Sequence, residues 1–292
     1  MKIKNFNKGI ISSTLGSFWW GVIGTYYFQY IAFVGTFEIV AHRCIWTTLI
    51  LLITTTFFNK WNLFKKIFFN KKKAFILIIT SILIFGNWSL WIYAVATNRI
   101  IDASFGYFIF PIISVFFGYL FFKEKLNKKR IVSISLVFIA TIYLLINFKT
   151  LPWVGFGVAF LWSIYNLLRK KINVDTDIGL FIESLFILPI ALVIFYFIFK
   201  NNLHDFTFSN PQLMILLFLA GPMTVIPLFL YIKGVQLAGL GPSGMIFFIT
   251  PTCQFLLGFF YYNEAFLIEK LISFILIWIA VFIYLKDLYE NN

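Results

Sequence analysis

Charged residues are scarce in this chain of 292 residues: they make up 12% of it, against about 25% in soluble globular proteins. A chain so poor in charge cannot cover a globule of its length with polar surface, which excludes soluble enzymes and disordered proteins. Cysteine is scarce too, and the two residues, Cys44 and Cys253, both lie inside apolar runs. That placement excludes a disulfide framework and a cysteine-based metal site.

Motifs of catalysis are also missing. The sequence contains no HExxH, CxxC, GxSxG or P-loop pattern, the spacings that hold zinc, a redox dithiol, a nucleophilic serine or a nucleotide phosphate. We therefore expect no enzymatic activity, no cofactor, no metal and no ATP hydrolysis.

The chain is rich instead in apolar residues, which make up 61% of it, with 22% aromatic residues. One bilayer crossing takes about 20 apolar residues. The runs predict an all-α integral membrane protein with ten transmembrane helices, at roughly 9–32, 37–58, 74–97, 103–122, 131–148, 152–169, 178–199, 212–232, 243–262 and 266–285. We expect the lipid bilayer to be a partner of the protein.

The net charge of +13 would suggest a nucleic-acid partner in a soluble protein, but here most basic residues lie between the apolar runs. With the amino terminus inside, 19 of the 24 Lys and Arg residues fall on the cytoplasmic side and four on the other. Since cytoplasmic loops carry the excess of basic residues, both termini are predicted to be cytoplasmic. We expect no nucleic-acid partner.

The two halves of the sequence repeat one pattern. The residues F-I-x-P-x6-G-x5-E occur from Phe108 and again from Phe248, a shift of 140 residues. Five helices are an odd number, so a second five-helix unit enters the membrane from the opposite face. The pattern predicts two inverted repeats, 1–149 and 150–292, the architecture of secondary transporters.

Four ionisable residues lie inside predicted spans: Glu38, His42 and Arg43 on the second, and Glu183 on the seventh. Such residues are costly in a membrane and often mark a pathway or a site. The 140-residue shift superimposes Arg43 on Glu183, and we expect the two to flank a central cavity and hold a zwitterion or a cation. Alternatively, Glu183 carries a coupling proton, or these groups have structural roles, with Glu38 and His42 at the cavity mouth or the interface.

Polar aromatic residues away from the membrane interface form the second set of candidates, because Trp and Tyr otherwise concentrate at headgroup level. An aromatic box suits an apolar or quaternary-ammonium ligand, and lipid-facing or packing roles are the alternative. The amide of Asn87 is expected at the cavity or at a helix–helix contact. The candidate substrate-binding residues are Trp20, Asn87, Trp88, Trp91, Tyr107, Trp162, Tyr165, Glu183, Tyr231 and Phe248.

Several segments resemble the RarD subfamily of the EamA branch of the drug/metabolite transporter superfamily. They are residues 38–46 (EIVAHRCIW), 86–88 (GNW), 103–111 (ASFGYFIFP), 168–171 (LRKK) and 182–183 (IE). The resemblance implies a bacterial inner-membrane carrier of small organic solutes, with a cavity formed by helices 1, 3, 4, 6, 8 and 9. Phe110 stands where the subfamily motif leads us to expect Asn, which implies a less polar, more aromatic site.

Two functions from different classes follow. The first is a secondary-active, alternating-access transporter of a small metabolite or drug-like solute such as an amino acid or a quaternary amine, with a coupling proton as a further partner. The second is a flippase for a lipid or lipid-linked metabolite, or a membrane scaffold. The sequence is compatible with a monomer or a homodimer.

Overall fold

A computed structural model describes residues 3–97, 100–146, 151–261 and 268–291. In these ranges every regular element is a helix. The elements are α1 (Ile3–Trp19), a π-helical segment (Trp20–Gly24), α2 (Thr25–Tyr30), α3 (Thr36–Phe57), α4 (Trp61–Phe68), α5 (Lys71–Ala96), α6 (Ile100–Phe122), α7 (Lys128–Ile146), α8 (Trp153–Ile172), α9 (Thr176–Lys200), α10 (Pro211–Ala238), α11 (Leu240–Ile246), α12 (Ile249–Phe260) and α13 (Ile268–Asn291).

Local chemistry sets several helix ends. Asn210 begins α10 because its side chain accepts a hydrogen bond from the Leu213 amide at 3.2 Å, and Pro211 follows at the first helical position. Asn173 ends α8 in the left-handed conformation, with φ of 44°, a common way for a helix to stop.

Eight helical segments of the described chain are long and apolar enough to cross a membrane: α3, α5, α6, α7, α9, α10, the α11–α12 pair and α13. The predicted spans 9–32 and 152–169 are also helical, but they do not meet the same criterion of length and apolar composition. A π-helical segment divides the first. The second is α8, whose hydropathy is lowered by Asn166 and by three basic residues in its last turn. The fold is that of an all-α, multi-pass membrane protein.

The helices pair symmetrically between the two halves of the chain. The contact between α1 and α10 joins the first membrane segment of the first half to the third segment of the second half. The contact between α5 and α8 joins the third segment of the first half to the first segment of the second, so exchange of the halves turns one pair into the other. The pairs α3–α9, α6–α11 and α7–α13 each map onto themselves. This is the pattern expected of two inverted repeats. Phe108 and Phe248, which the 140-residue shift relates, contact each other with ring centroids 6.3 Å apart.

Two irregular backbone segments meet inside the bundle. The chain passes from α1 through the π-helical segment into α2 without leaving the helical region. Phe247 and Phe248, which separate α11 from α12, also keep right-handed helical dihedral angles, with φ of −59° and −58°. Gly21 allows the close approach, since a Cβ atom there would lie 2.8 Å from the Cβ of Cys253 and 3.0 Å from the Thr250 carbonyl oxygen.

The short helix α4 lies in a segment for which no helix is predicted. It is amphipathic: Phe64 packs on Phe181 of α9 at 5.2 Å and Phe68 stacks on Phe186 at 5.9 Å, while Lys65 and Lys66 are exposed. At eight residues it is too short to register as a membrane span.

Candidate functional site

Five aromatic side chains from five membrane segments form one cluster near the middle of the bundle. They are Trp20 of the π-helical segment, Phe110 of α6, Trp162 of α8, Tyr231 of α10 and Phe247 of the α11–α12 break; we call them the central aromatic cluster. Trp20 meets Trp162 at 5.6 Å, Trp162 meets Tyr231 at 5.7 Å, and Phe247 meets Phe110 at 4.9 Å. The cluster lies where both irregular segments converge.

One polar atom of this cluster has no partner in the described structure. The indole Nε1 of Trp162 is buried, and none of the described residues accepts a hydrogen bond from it. The other buried polar group is satisfied, because the Tyr231 hydroxyl donates to the Ser243 carbonyl at 3.1 Å. A buried indole N–H usually has a partner, so Trp162 offers a free donor in apolar surroundings.

Three further predicted residues surround the cluster. Tyr165 stacks on Trp162 with ring centroids 5.3 Å apart, and Tyr107 meets Phe247 at 5.7 Å. Trp91 donates a hydrogen bond of 2.5 Å to the Tyr107 hydroxyl, which ties α5 to α6.

Arg43 of α3 contacts residues of three other helices, α2, α5 and α10. Its guanidinium carbon is 4.5 Å from the centre of the Trp88 ring and 4.8 Å from that of Phe28. Its Nε donates to the Thr224 hydroxyl at 3.0 Å. Trp88 also packs against the core that contains the central aromatic cluster, so Arg43 lies at the edge of the same region.

Glu183 has a partner other than Arg43. Its Oε1 lies 3.6 Å from Nε of Arg169 and accepts a hydrogen bond from the Thr80 hydroxyl at 2.5 Å. Its Oε2 accepts one from the Tyr165 hydroxyl at 3.1 Å. Arg169 is 0% exposed and Glu183 3%. A cavity of ≈ 20 Å³ adjoins Glu183 and Cys44, about enough room for one water molecule.

Glu38 and His42 fasten a loop. Both Glu38 oxygens accept from the Asp205 amide at 2.9 Å, and Oε1 also accepts from the Phe206 amide at 3.1 Å. Trp46 donates to Nδ1 of His42 at 3.0 Å, and the Nε2 of His42 lies 3.6 Å from Oε1 of Glu38. This geometry links α3 to the segment between α9 and α10.

Two other predicted residues lie apart from the cluster. Asn87 is at a helix–helix contact, where its amide donates to the Val158 carbonyl of α8 at 2.9 Å. Phe248 packs against Phe108 in a second core. Its neighbour Phe247 contributes the aromatic ring at the centre instead, and the repeat contains the signal for it, since the 140-residue shift places Tyr107 on Phe247.

At the face where α1 begins, Glu124 joins the two halves. Its carboxylate accepts from the amides of Leu240 and Gly241, both at 2.8 Å, at the start of α11, and it pairs with Lys170 of α8 at 2.7 Å. A carboxylate at a helix amino terminus is stabilised by the free amides and the helix dipole.

A second link at this face joins Lys60, before α4, to the start of α9. Its Nζ lies 2.7 Å from Asp177 and 3.4 Å from Asp175. Burial by itself lowers the pKa of Lys60, but the two carboxylates outweigh burial and raise that pKa above its ordinary value.

Comparison with known proteins decides the family. The model of the EamA-like transporter family matches residues 7–146 and again residues 151–286. The chain belongs to this family. Its relatives include proteins named RarD. The RarD protein of Escherichia coli is 31% identical over 287 residues, which cover 98% of this chain and 97% of the relative. The chain is therefore a member of the RarD subfamily.

Two other relatives carry the name of transporters. One from Vibrio cholerae, named as an uncharacterized transporter, is 33% identical and covers 96% of this chain and 92% of its own length. The uncharacterized transporter YojE of Bacillus subtilis is also 33% identical, over 95% of this chain and 93% of its own. This EamA-family chain is therefore a membrane transporter of a small solute.

A solved crystal structure has the same fold. It superimposes with a TM-score of 0.67 over 95% of this chain and 97% of its own, at 12% sequence identity. Within the described residues no group of three or more His, Cys, Asp or Glu side chains is placed to hold a metal ion.

Proposed function

We propose that this EamA-family chain is a secondary-active carrier that holds the apolar part of a small organic solute in the central aromatic cluster. The observation that carries the proposal is the meeting of two irregular helices, one from each half, at buried rings around the unpartnered Trp162 N–H. The protein acts in the inner membrane of a bacterium, with both termini in the cytoplasm.

Irregular backbone at membrane depth supports this location. π-Helical segments often occur at functional sites, and secondary transporters bind substrate where broken helices of two repeats meet. Here Trp20, the first residue of the π-helical segment, contacts Phe247 in the α11–α12 break at 6.2 Å. Rearrangement at this point changes the packing of both halves together, as alternating access requires.

A gradient of solute or of protons drives transport, since the sequence has no nucleotide-binding motif. Glu183 is the candidate for a coupling proton, because it is a buried carboxyl group beside a cavity large enough for one water molecule. Full transport with unchanged pH dependence in Glu183→Gln would contradict that role.

The test uses purified protein and a panel of amino acids, quaternary amines, nucleosides and chloramphenicol. A solute at 100 times its Kd adds about 2.7 kcal/mol of apparent stability, which corresponds to a rise in Tm of roughly 5 °C for a chain of this size. We expect one chemical class to produce this shift and to be taken up by proteoliposomes. Trp162→Ala abolishes both effects, whereas the matched control Trp278→Ala, on the exposed side of α13, retains them.

Unchanged solute binding in Trp162→Ala would refute the cluster as the site. The flippase alternative has its own supporting feature, a groove of ≈ 630 Å³ between the first membrane helix, α10 and α12. Four tyrosines line much of it: Tyr26, Tyr27, Tyr30 and Tyr261. Stabilisation by added lipids, with no response to any soluble compound, would favour that alternative.

A further inference from the structure

The three arginines of the described chain differ in their partners. Arg130 pairs with Asp287 at 2.8 Å, and Arg169 pairs with Glu183 at 3.6 Å. Arg43 forms no ion pair with any described residue. It lies seven residues into α3, about 10 Å along the helix axis, and so well inside a membrane-spanning segment.

The surroundings of Arg43 hold the guanidinium in place without neutralising it. The Trp88 and Phe28 rings contact it, and the Thr224 hydroxyl accepts a hydrogen bond from its Nε. Among the described residues no acceptor is found for its two terminal nitrogens. The planar fork of these nitrogens is the donor arrangement that matches a carboxylate with two parallel hydrogen bonds.

Two carboxylates are related to Arg43, one by the repeat and one by its position on the same helix, and both have other partners. Glu183, its counterpart under the 140-residue shift, faces Arg169, with Oε1 and Nε 3.6 Å apart. Glu38, five residues earlier on α3, accepts backbone hydrogen bonds from Asp205 and faces His42. Neither carboxylate is available to balance the guanidinium charge.

A surface groove runs along two of the helices that contact Arg43, α2 and α10. The groove of ≈ 630 Å³ has Tyr27 of α2 and Met223 of α10 in its walls. These are the chain neighbours of Phe28 and Thr224, the two residues that hold the guanidinium on those helices.

We propose that Arg43 is the binding residue for the carboxylate of the transported solute, so that the solute class is a monocarboxylate with an apolar or aromatic body. The single positive charge in apolar surroundings matches one negative charge, and the central aromatic cluster receives the body. The inference rests on the proposed transport function and specifies its substrate, in place of the cation or zwitterion that the sequence suggests.

The experiment compares each carboxylate with its own primary amide, which keeps the body and removes the charge. The probes are butanoate, 3-phenylpropanoate and indole-3-propanoate with their amides, measured by thermal stabilisation of purified protein and by uptake into proteoliposomes. We expect wild type to bind at least one carboxylate ten-fold or more tightly than its amide. Arg43→Gln loses that preference and retains amide binding, while Arg43→Lys keeps part of it.

Lys66→Gln is the matched control, because it removes one positive charge from the exposed face of α4. It is expected to bind as wild type does. The assignment is overturned if no carboxylate is preferred over its amide, or if folded Arg43→Gln, checked by gel filtration, keeps the preference. Transport of neutral or cationic solutes that depends on Trp162 but not on Arg43 would overturn the carboxylate assignment and leave the proposed function standing. If wild type responds to none of the solutes, both the carboxylate assignment and the proposed function are overturned.

Discussion

The buried pair of Arg169 and Glu183 makes a quantitative prediction about stability. The two side chains are 0% and 3% exposed, with Nε and Oε1 3.6 Å apart. At an effective dielectric constant of about 20, charges at this distance attract by roughly 5 kcal/mol. Removal of one partner of a buried pair typically costs about 3–5 kcal/mol, because the remaining charge is left without compensation.

Glu183→Gln therefore lowers the Tm of the purified protein by roughly 6–10 °C, at about 2 °C per kcal/mol for a chain of this size. The amide of Gln still accepts from the Thr80 hydroxyl, so the loss comes mainly from the uncompensated guanidinium.

The double variant Arg169→Gln/Glu183→Gln separates charge from packing. It leaves no buried charge at this position, so we expect it to recover more than half of the Tm lost in Glu183→Gln. Thermal unfolding in one detergent at one pH measures both variants. A Glu183→Gln protein within about 2 °C of wild type, or a double variant whose loss is the sum of the two single losses, would refute the ion pair as a structural element.

Three further variants test contacts between the halves. Glu124→Gln weakens charge-assisted bonds worth about 1.5–3 kcal/mol each, so we expect the Tm to fall by several degrees, at about 2 °C per kcal/mol. An unchanged Tm would contradict the contact. Glu38→Gln increases amide hydrogen exchange at Asp205, measured by mass spectrometry, and unchanged protection would show that the loop is held by other means. Gly106→Ala places a Cβ atom 2.5 Å from the Gly155 carbonyl oxygen, a backbone atom. We expect it to lower the free energy of unfolding by about 1–3 kcal/mol, measured by thermal unfolding. An unchanged Tm would mean that α6 and α8 pack less closely.

Much of the membrane architecture was accessible from sequence because apolar length is a local property. The spans on α3, α5, α6, α7, α9, α10 and α13 are all predicted in place. Interruptions are harder to foresee: the π-helical segment at Trp20 and the break at Phe247 depend on close contact between distant helices rather than on local composition. The helix α4 was missed because it is too short for a window of span length.

The candidate site could be predicted only in part. Trp20, Trp162 and Tyr231 do meet in one cluster, as an aromatic box requires. Phe247 takes the place expected for Phe248, because adjacent residues of a helix point in different directions. The equivalent residues of α6 divide in the same way, with Tyr107 against Phe247 and Phe108 against Phe248. Arg43 and Glu183 are expected to flank one central cavity; in this structure they have different neighbours, since Glu183 faces Arg169 and Arg43 contacts Trp88.

The sequence by itself determined that the protein lies in a membrane, that its halves repeat, and which family it resembles. Those properties follow from residue type and spacing along the chain, since bilayer thickness sets the length of each apolar run. Only the tertiary structure decided how charge is distributed inside the bundle. Arg169, at the end of a predicted span, turns inward to Glu183 on the next helix, while Arg43 contacts aromatic rings and a hydroxyl. Partners inside a bundle are set by how the helices pack, both between consecutive helices such as α8 and α9 and between distant ones such as α3 and α10. No local pattern specifies that packing.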